Sequence, residues 1–143
     1  MSNIRIFVSH RIDIDSETVD TPVYFPVRCG AVYDEEGNSE IQGDDTGDNI
    51  SKLRMSFCEF TVQYWAWKNV DAYYYGLCHY RRYLSFSDKR YKNTVFNMVR
   101  ELKLTPHEKK KYHLDDTKKI EKTVKQYDMI IPVVAKASEM SYN

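Results

Sequence analysis

The chain has 143 residues, of which 42% are hydrophobic and 29% charged, and its formal net charge is zero. These values are ordinary for one soluble globular domain with a core of its own. They exclude a membrane-spanning helix, since no apolar run approaches the ~18 residues that a span needs.

The zero sum conceals two parts of opposite charge. Residues 1–50 carry a net charge of −8 and residues 51–143 one of +8, and the basic excess lies mostly in 89–125. A basic stretch of this kind indicates either a solvated helical surface or a patch for phosphates or an anionic membrane. The run KKKY at 109–112 is too short for a nucleic-acid signature, so no nucleic-acid partner is expected.

The cysteines and the amino-terminal residues predict the cellular compartment. The cysteines have no C-x-x-C spacing, which is typical of a reduced protein without structural zinc; they are Cys29, Cys58 and Cys78. The first residues, MSNIRIFVSHR, contain no long apolar segment and thus no secretory signal. We therefore expect a cytoplasmic protein.

The first predicted element is a buried strand over residues 4–8, where branched and aromatic residues run together as IRIFV. It ends in Ser9, His10 and Arg11. Open α/β sheets bind their ligands beyond the carboxyl ends of central strands. His10 is therefore a candidate for ligand contact, and a purely structural role for it is the alternative.

Residues 12–48 show little periodicity. Pro22 and Pro26 interrupt hydrogen-bond ladders, so an extended loop is predicted there. The stretch GDDTGDN at 43–49 offers oxygen ligands for Mg²⁺, Mn²⁺ or Ca²⁺, but it lacks the spacing of an EF-hand loop. A polar turn capped by its own side chains is the alternative. The oxygen-bearing candidates are Asp44, Asp45, Asp48 and Asn49.

The clearest helix signal covers residues 56–69, SFCEFTVQYWAWKN. Ser56 and Glu59 have the spacing of a capping box at its start. Four aromatic residues then recur at helical spacing, which predicts that they face the core; they are Phe57, Phe60, Tyr64 and Trp67.

The stretch YYYGLCHYRRYLSF at 73–86 begins as a buried strand and then presents His79, Tyr80, Arg81 and Arg82. If the strand continued, His79 and Arg81 would share one face and Tyr80 and Arg82 the other. Arginines at the end of a buried strand need a carboxylate or a ligand anion as partner. Both a phosphate-facing site and a structural ion pair are therefore open.

Helices and one more strand are predicted after residue 86. Residues 94–104 and 117–127 have helical periodicity, and Thr105, Pro106 and Glu108 resemble a capped helix start. YDMIIPVV at 127–134 reads as a buried strand. Strands thus alternate with helices, which predicts an α/β fold with a mostly parallel sheet in a single domain over 1–143.

Several long motifs together resemble one family, the DUF4422 domain of bacterial polysaccharide-biosynthesis proteins. They occur in order along nearly the whole chain, and GDDTGDNIS and GLCHYRRY are the most distinctive. The matching pieces are IFVSHR (6–11), PVRCGAVYD (26–34), GDDTGDNIS (43–51), FCEFTVQYWAWKN (57–69), YYGLCHYRRYLSF (74–86) and YDMIIP (127–132).

The resemblance implies that this sheet is Rossmann-like and that the protein is a glycosyltransferase of GT-A type, hexosyltransferase-like, that acts in capsular polysaccharide, exopolysaccharide or lipopolysaccharide biosynthesis. It implies a nucleotide-sugar donor, with a UDP-sugar favoured, and a glycan or lipid-linked saccharide as acceptor. Peripheral contact with the inner face of the membrane is compatible with such an acceptor. The alternative is a non-catalytic module that binds a nucleotide or a glycan.

The resemblance also implies roles for the polar strand ends. Many enzymes of this type carry Asp-x-Asp after a strand like 73–78, where it holds a divalent metal on the donor diphosphate. Here His79-Tyr80-Arg81 stands in its place. Arg81, with Arg82 and His79, is therefore expected to replace the metal and to stabilise the leaving nucleotide.

The remaining candidate residues are expected to surround the same ligand. Ser9, His10 and Arg11 would contact the nucleotide. The residues Asp44, Asp45, Asp48 and Asn49 would border the pocket, and a divalent metal bound there stays open but is not expected.

Members of the family continue well past YDMIIP. The chain is therefore expected to be an amino-terminal portion whose sheet is incomplete at the carboxyl end. An uncovered sheet edge would favour homodimers, and a donor half-site alone would bind without transferring.

Overall fold

The computed structural model describes residues 3–37, 40–91 and 98–133. By its contacts the chain divides into two compact units, Met1–Tyr83 and Leu84–Asn143, and each is described in turn. The single domain expected over 1–143 stays a prediction.

The first unit is a four-stranded sheet with helices. Its strands are β1 (Ile4–His10), β2 (Tyr24–Arg28), β3 (Gln42–Gly43) and β4 (Tyr74–His79), and they lie in the order β3-β2-β1-β4. Every pairing is parallel, with Ile6 opposite Tyr24 on one side of β1 and Val8 opposite Cys78 on the other. The predicted α/β fold with a mostly parallel sheet is confirmed.

Two α-helices and two short 3₁₀ helices connect these strands. The helices are α1 (Arg54–Phe57) and α2 (Phe60–Asn69), and the 3₁₀ turns are Ala31–Tyr33 and Ser51–Leu53. The core lies between α2 and the sheet, where Phe7 of β1 meets the rings of Phe25 and Trp65 at centroid distances of 5.7 and 6.4 Å. Burying side chains of this size stabilises the fold by roughly 1.5–3 kcal/mol each.

The helix predicted over 56–69 is broken at Cys58. This residue has a φ of 49°, in the left-handed region that side-chain-bearing residues rarely adopt. Ser56 lies inside α1, and no side chain caps the start of α2, so the predicted capping box is wrong. The Cys58 carbonyl instead accepts the N–H of Thr61 at 3.2 Å.

The prediction that Phe57, Phe60, Tyr64 and Trp67 face the core is wrong for three of them, and Tyr64 is half-buried. Phe57, Phe60 and Trp67 are 47%, 57% and 63% exposed. The face of α2 that meets the sheet carries smaller residues together with one indole: Thr61, Val62, Trp65 and Ala66. Small side chains let the helix approach the sheet closely, and that requirement outweighs the number of aromatic rings on the opposite face.

Strand β2 lies in the region that was predicted as a loop. It contains Pro26, opposite Val8 of β1. The Cys29 N–H donates to the His10 carbonyl of β1, and because successive N–H groups of a strand face opposite sides, the ring nitrogen of Pro26 faces away from β1. On that other side, β3 pairs only with Val27 and Arg28. No ladder hydrogen bond is lost at Pro26, which is why the strand tolerates proline.

The second unit contains α3 (Pro106–Lys111) and α4 (Thr117–Val124). The predicted start of α3 is confirmed: Thr105 and Glu108 form a capping box and Pro106 occupies the first helical position. Asp116 caps α4 by accepting the Lys119 N–H at 3.0 Å. The buried apolar residues of this unit are Phe86, Tyr112, Leu114 and Ile120.

Two other predicted elements of this unit are wrong within the described residues. Residues 98–104 are not helical, and 94–97 lie outside the described part of the chain. Residues 127–133 form no strand, and Val134 is not among the described residues. An apolar run becomes a strand only where a neighbour completes its hydrogen bonds, and no described strand pairs with it.

No helix in the described ranges is both long enough and apolar enough to cross a membrane.

Candidate functional site at the carboxyl edge of the sheet

Three strands bring polar residues to one edge of the sheet. β1 ends at His10, β2 at Arg28 and β4 at His79, and all three run in the same direction. The register places Ser9 opposite His79 and His10 opposite Arg28. The two polar segments Ser9–Arg11 and His79–Arg82, which are far apart in the sequence, therefore lie side by side.

The segment His79–Arg82 is a tight turn. The His79 N–H donates to the Arg82 carbonyl at 3.1 Å, and the Arg82 N–H donates back to the His79 carbonyl at 2.7 Å. Tyr80 N–H donates to the Ser9 carbonyl at 3.1 Å, which ties the turn to the end of β1. The prediction of alternating strand faces across these residues is wrong, because the strand ends at His79.

Within the turn, the Tyr80 ring lies against one of two exposed cations. Tyr80 is buried, and its ring centroid lies 4.3 Å from that of His79 and 6.0 Å from that of His10. The Arg81 guanidinium carbon lies 5.1 Å from the Tyr80 centroid. Among the described residues, no carboxylate lies within ion-pair distance of Arg81 or Arg82. Two guanidiniums therefore stay available to an anion.

The two histidines of the edge favour the neutral form. Burial, and then the nearby His79, lowers the pKa of His10. The pKa of His79 is lowered by burial and by the surrounding arginines, against the opposing charge of Glu59. A neutral imidazole has one N–H donor and one nitrogen acceptor, so each can hydrogen-bond a polar ligand without adding charge.

Ser9 and Arg11 differ in what they offer. Ser9 is buried, and its backbone carbonyl holds the turn. Arg11 is exposed, and its Nε donates to Asp13 Oδ1 at 2.7 Å. An exposed ion pair of this kind contributes little stability, because water screens both charges. Arg11 can therefore exchange Asp13 for a ligand anion at small cost.

Asp44 is fully buried and is part of the framework. One carboxylate oxygen, Oδ2, accepts the N–H of Gly30 and the hydroxyl of Thr61; the other, Oδ1, accepts the N–H of Ala31 and the hydroxyl of Ser51. Gly30 has a φ of 70°, a conformation that favours glycine, and this turns two successive N–H groups toward one carboxylate. Asp44 thereby connects the end of β2 to α2.

The other three candidates of the 43–49 loop lie on its surface. Asp48 accepts the Tyr64 hydroxyl at 3.0 Å and lies 3.9 Å from Lys68 Nζ, so it is held against α2. Asn49 donates to the carbonyls of Asp45 and Gly47 and braces the loop. Among the described residues, no three His, Cys, Asp or Glu side chains are grouped as a metal site requires.

Sequence reasoning missed Arg28 and the pocket beside it. Arg28 is nearly buried; it forms an ion pair with Asp34, and its Nε donates to the Ile41 carbonyl at 3.0 Å. A pocket of about 240 Å³ lies next to it, lined by His10, Arg11, Ile12, Ile14, Asp15, Ser16, Arg28 and Ile41. Arg28 is the last residue of β2, but Pro26 led to the prediction of a loop in place of that strand.

A family model described as a domain of unknown function, DUF4422, matches residues 5–143. The fold is similar to that of a structure described as the apo WbbM bifunctional glycosyltransferase, with a TM-score of 0.76 and 31% sequence identity. The match covers 86% of this chain and 21% of that one, so the chain spans about a fifth of that protein's length. No curated protein matches.

The family predicted from the motifs is confirmed by this match. The α/β fold is shared with a glycosyltransferase.

Proposed function

Because the chain belongs to the DUF4422 family, we propose that it is the donor-binding part of a glycosyltransferase that uses a nucleotide sugar. The observation that carries the proposal is the turn His79–Arg82. It presents two guanidiniums without carboxylate partners in the described residues, at the edge where parallel α/β sheets bind ligands. The similarity to a glycosyltransferase supports the reaction class.

The proposed chemistry is charge stabilisation at the leaving group. In sugar transfer, the bond between the anomeric carbon and the diphosphate oxygen breaks, and the bonding electron pair leaves with the diphosphate. The acceptor hydroxyl forms the new bond and loses its proton. Arg81 and Arg82 would bind the diphosphate with bidentate geometry, and they would stabilise the charge that grows as it departs.

The neighbouring residues would complete the donor site. His79 would donate one hydrogen bond from Nε2 without changing the net charge, because its Nδ1 already accepts the Arg81 N–H at 3.3 Å. Arg11 would add a third cation once Asp13 is displaced. Asp44 would not contact the donor, because both of its oxygens already accept hydrogen bonds from the protein.

The acceptor and the pathway follow from the family resemblance. We propose a glycan or a lipid-linked saccharide as acceptor, in the assembly of capsular polysaccharide, exopolysaccharide or lipopolysaccharide. The enzyme would work in the cytoplasm or on the inner face of the membrane. A homodimer through an uncovered sheet edge belongs to the same proposal.

The basic stretch 89–125 supports an anion-binding surface less well than the turn His79–Arg82 does. Its lysines Lys111, Lys119 and Lys125 form ion pairs with Glu101, Asp88 and Glu121. These three ion pairs weaken the field that the stretch presents to an external polyanion.

The test is ligand-observed NMR with UDP-, GDP-, dTDP- and CMP-sugars, in Mn²⁺ and in EDTA, on the wild type and on Arg81→Ala. The proposal expects binding that persists in EDTA and is strongly weakened in Arg81→Ala. Binding that requires Mn²⁺ and ignores Arg81→Ala would shift the site to the 43–49 carboxylates. Nucleotide binding without hydrolysis or transfer in the full-length protein would favour the non-catalytic module.

A further inference from the structure

His10, one of the residues that line the pocket beside Arg28, has a buried polar atom without a hydrogen-bond partner. His10 is 2% exposed, and its Nδ1 lies 2.7 Å from the Ser16 hydroxyl. Its other ring nitrogen, Nε2, is buried and has no hydrogen-bond partner. An unsatisfied buried group costs about 1–3 kcal/mol, so a fold retains one where something else, such as a ligand, supplies the missing bond.

The rest of the lining has an apolar part and a donor part. Ile12, Ile14 and Ile41 provide apolar walls. Arg28 is the other nearly buried polar side chain. A guanidinium has five N–H donors, and the bonds of Arg28 to Asp34 and Ile41 engage Nη1 and Nε. Among the residues that the structure describes, none accepts a hydrogen bond from its Nη2, which therefore keeps donors for a ligand.

The direction of the hydrogen bond between Ser16 and His10 depends on which nitrogen of the His10 ring carries the proton. When the Ser16 hydroxyl donates to Nδ1, the ring proton must reside on Nε2, because a neutral imidazole carries only one. Both buried polar groups of the pocket are then hydrogen-bond donors. The carboxylate of Asp15 lies on an exposed residue at the rim. With the His10 proton on Nε2, the interior of the pocket requires acceptor atoms on whatever fills it.

We propose that this pocket takes the heterocyclic base of the donor nucleotide, and that His10 selects bases with a carbonyl oxygen where cytosine and adenine carry an amino group. A planar ring fits between isoleucine walls, and the uracil, thymine and guanine carbonyls accept from His10 and Arg28. An amino group would set donor against donor. Ser16 is a positioning residue that fixes the His10 tautomer. This inference rests on the proposed function and names the specificity of the same site.

The experiment measures calorimetric affinities of UDP, CDP, GDP and ADP for the full chain. The proposal expects UDP and GDP to bind at least about tenfold more tightly than CDP and ADP, as one mismatched hydrogen-bond pair predicts. His10→Phe keeps a buried ring but removes the donor, so it should reduce this ratio to near one. Arg81→Ala is the matched control; it should weaken all four ligands and leave the ratio unchanged.

Ser16→Ala gives a second readout if His10→Phe does not fold. It should reduce the base preference, and ¹⁵N NMR should show the proton of wild-type His10 on Nε2 and a mixture of tautomers in Ser16→Ala. A His10 proton on Nδ1 in the wild type would overturn the inference.

The outcomes separate the two proposals. If all four nucleotides bind equally and lose affinity in Arg81→Ala, the base selection is wrong and the proposed function stands. If neither the nucleotides nor inorganic pyrophosphate bind to the folded chain, the proposed function fails and the base selection with it.

Discussion

The 43–49 loop and the 79–82 turn are both rich in charge and both follow parallel strands, yet the fold uses their charges differently. The Asp44 carboxylate is buried and accepts four hydrogen bonds from the protein. Arg81 and Arg82 are exposed, and among the described residues no carboxylate pairs with them. A charge that the fold has already compensated supports structure, and one that it has not is available for binding.

The difference comes from the cost of desolvation. A buried carboxylate is tolerated only where donors replace the water it has lost, and Asp44 has these donors in two backbone N–H groups and two hydroxyls. A guanidinium on an exposed turn keeps its water and needs no internal partner. The three predictions below test this contrast between committed and available groups, and the largest effect comes first.

Asp44→Ala should destabilise the protein by about 4 kcal/mol, as expected for removing one member of a buried hydrogen-bonded charge network. Four donors would lose their acceptor at once, and the end of β2 would lose its connection to α2. Urea unfolding followed by circular dichroism measures the change. Asp45→Ala is the matched control, because Asp45 is the next residue and its side chain is exposed. Its effect should stay within about 0.5 kcal/mol. Equal losses in the two variants would contradict the role assigned to Asp44.

The two indoles of α2 extend the contrast to apolar groups. Trp65→Ala should cost about 3 kcal/mol or more in free energy of unfolding, because Trp65 is buried against Phe7. Trp67→Ala should cost under about 1 kcal/mol, since Trp67 is largely exposed. Chemical denaturation of both variants checks the assignment of faces, and a larger loss for Trp67 would reverse it.

The smallest effect concerns the pH dependence of stability. The pKa of His10 in the fold lies below its ordinary value of 6.5, first because of burial and then because of His79. Below pH 6.5 the unfolded chain is protonated at His10 while the folded chain is not. Stability therefore decreases as the pH decreases, until the pH lies below the folded pKa. Above pH 6.5 this contribution is constant.

His10→Gln removes that titration. Between pH 7.5 and pH 5.5 the variant should lose less stability than the wild type in urea unfolding. An identical pH dependence in both proteins would show that other groups, such as His79, dominate this range.

Much of the architecture could be predicted from the sequence, and the exceptions have physical reasons. Strand β1 and the convergence of Ser9–Arg11 with His79–Arg82 follow from apolar runs that end in polar residues in a parallel sheet. Strand β2 could not be predicted, because proline has no backbone N–H and is acceptable in a strand only where no partner needs a donor at that position. That condition depends on the short length of β3, which the local sequence does not reveal.

The surface and interior roles of single residues were harder to predict. Helical spacing identified an aromatic stripe on α2 but not which face the sheet would choose, since that depends on how closely Thr61 and Ala66 allow the helix to approach. The burial of Asp44 was hidden for a similar reason: its four donors come from distant segments. The local sequence does not distinguish Asp44 from Asp45 and Asp48, and only the fold shows that Asp44 is buried.

The most direct test of the central claim is the affinity of UDP for the Arg81→Ala/Arg82→Ala double variant, measured by isothermal titration calorimetry. Arg100→Ala is the control, because it removes an exposed arginine of the second unit. If the turn binds the diphosphate, the double variant should lose at least about tenfold in affinity, as expected when charged hydrogen bonds are removed, and Arg100→Ala should change it by less than about twofold. Equal affinity in the double variant, Arg100→Ala and the wild type would contradict the account.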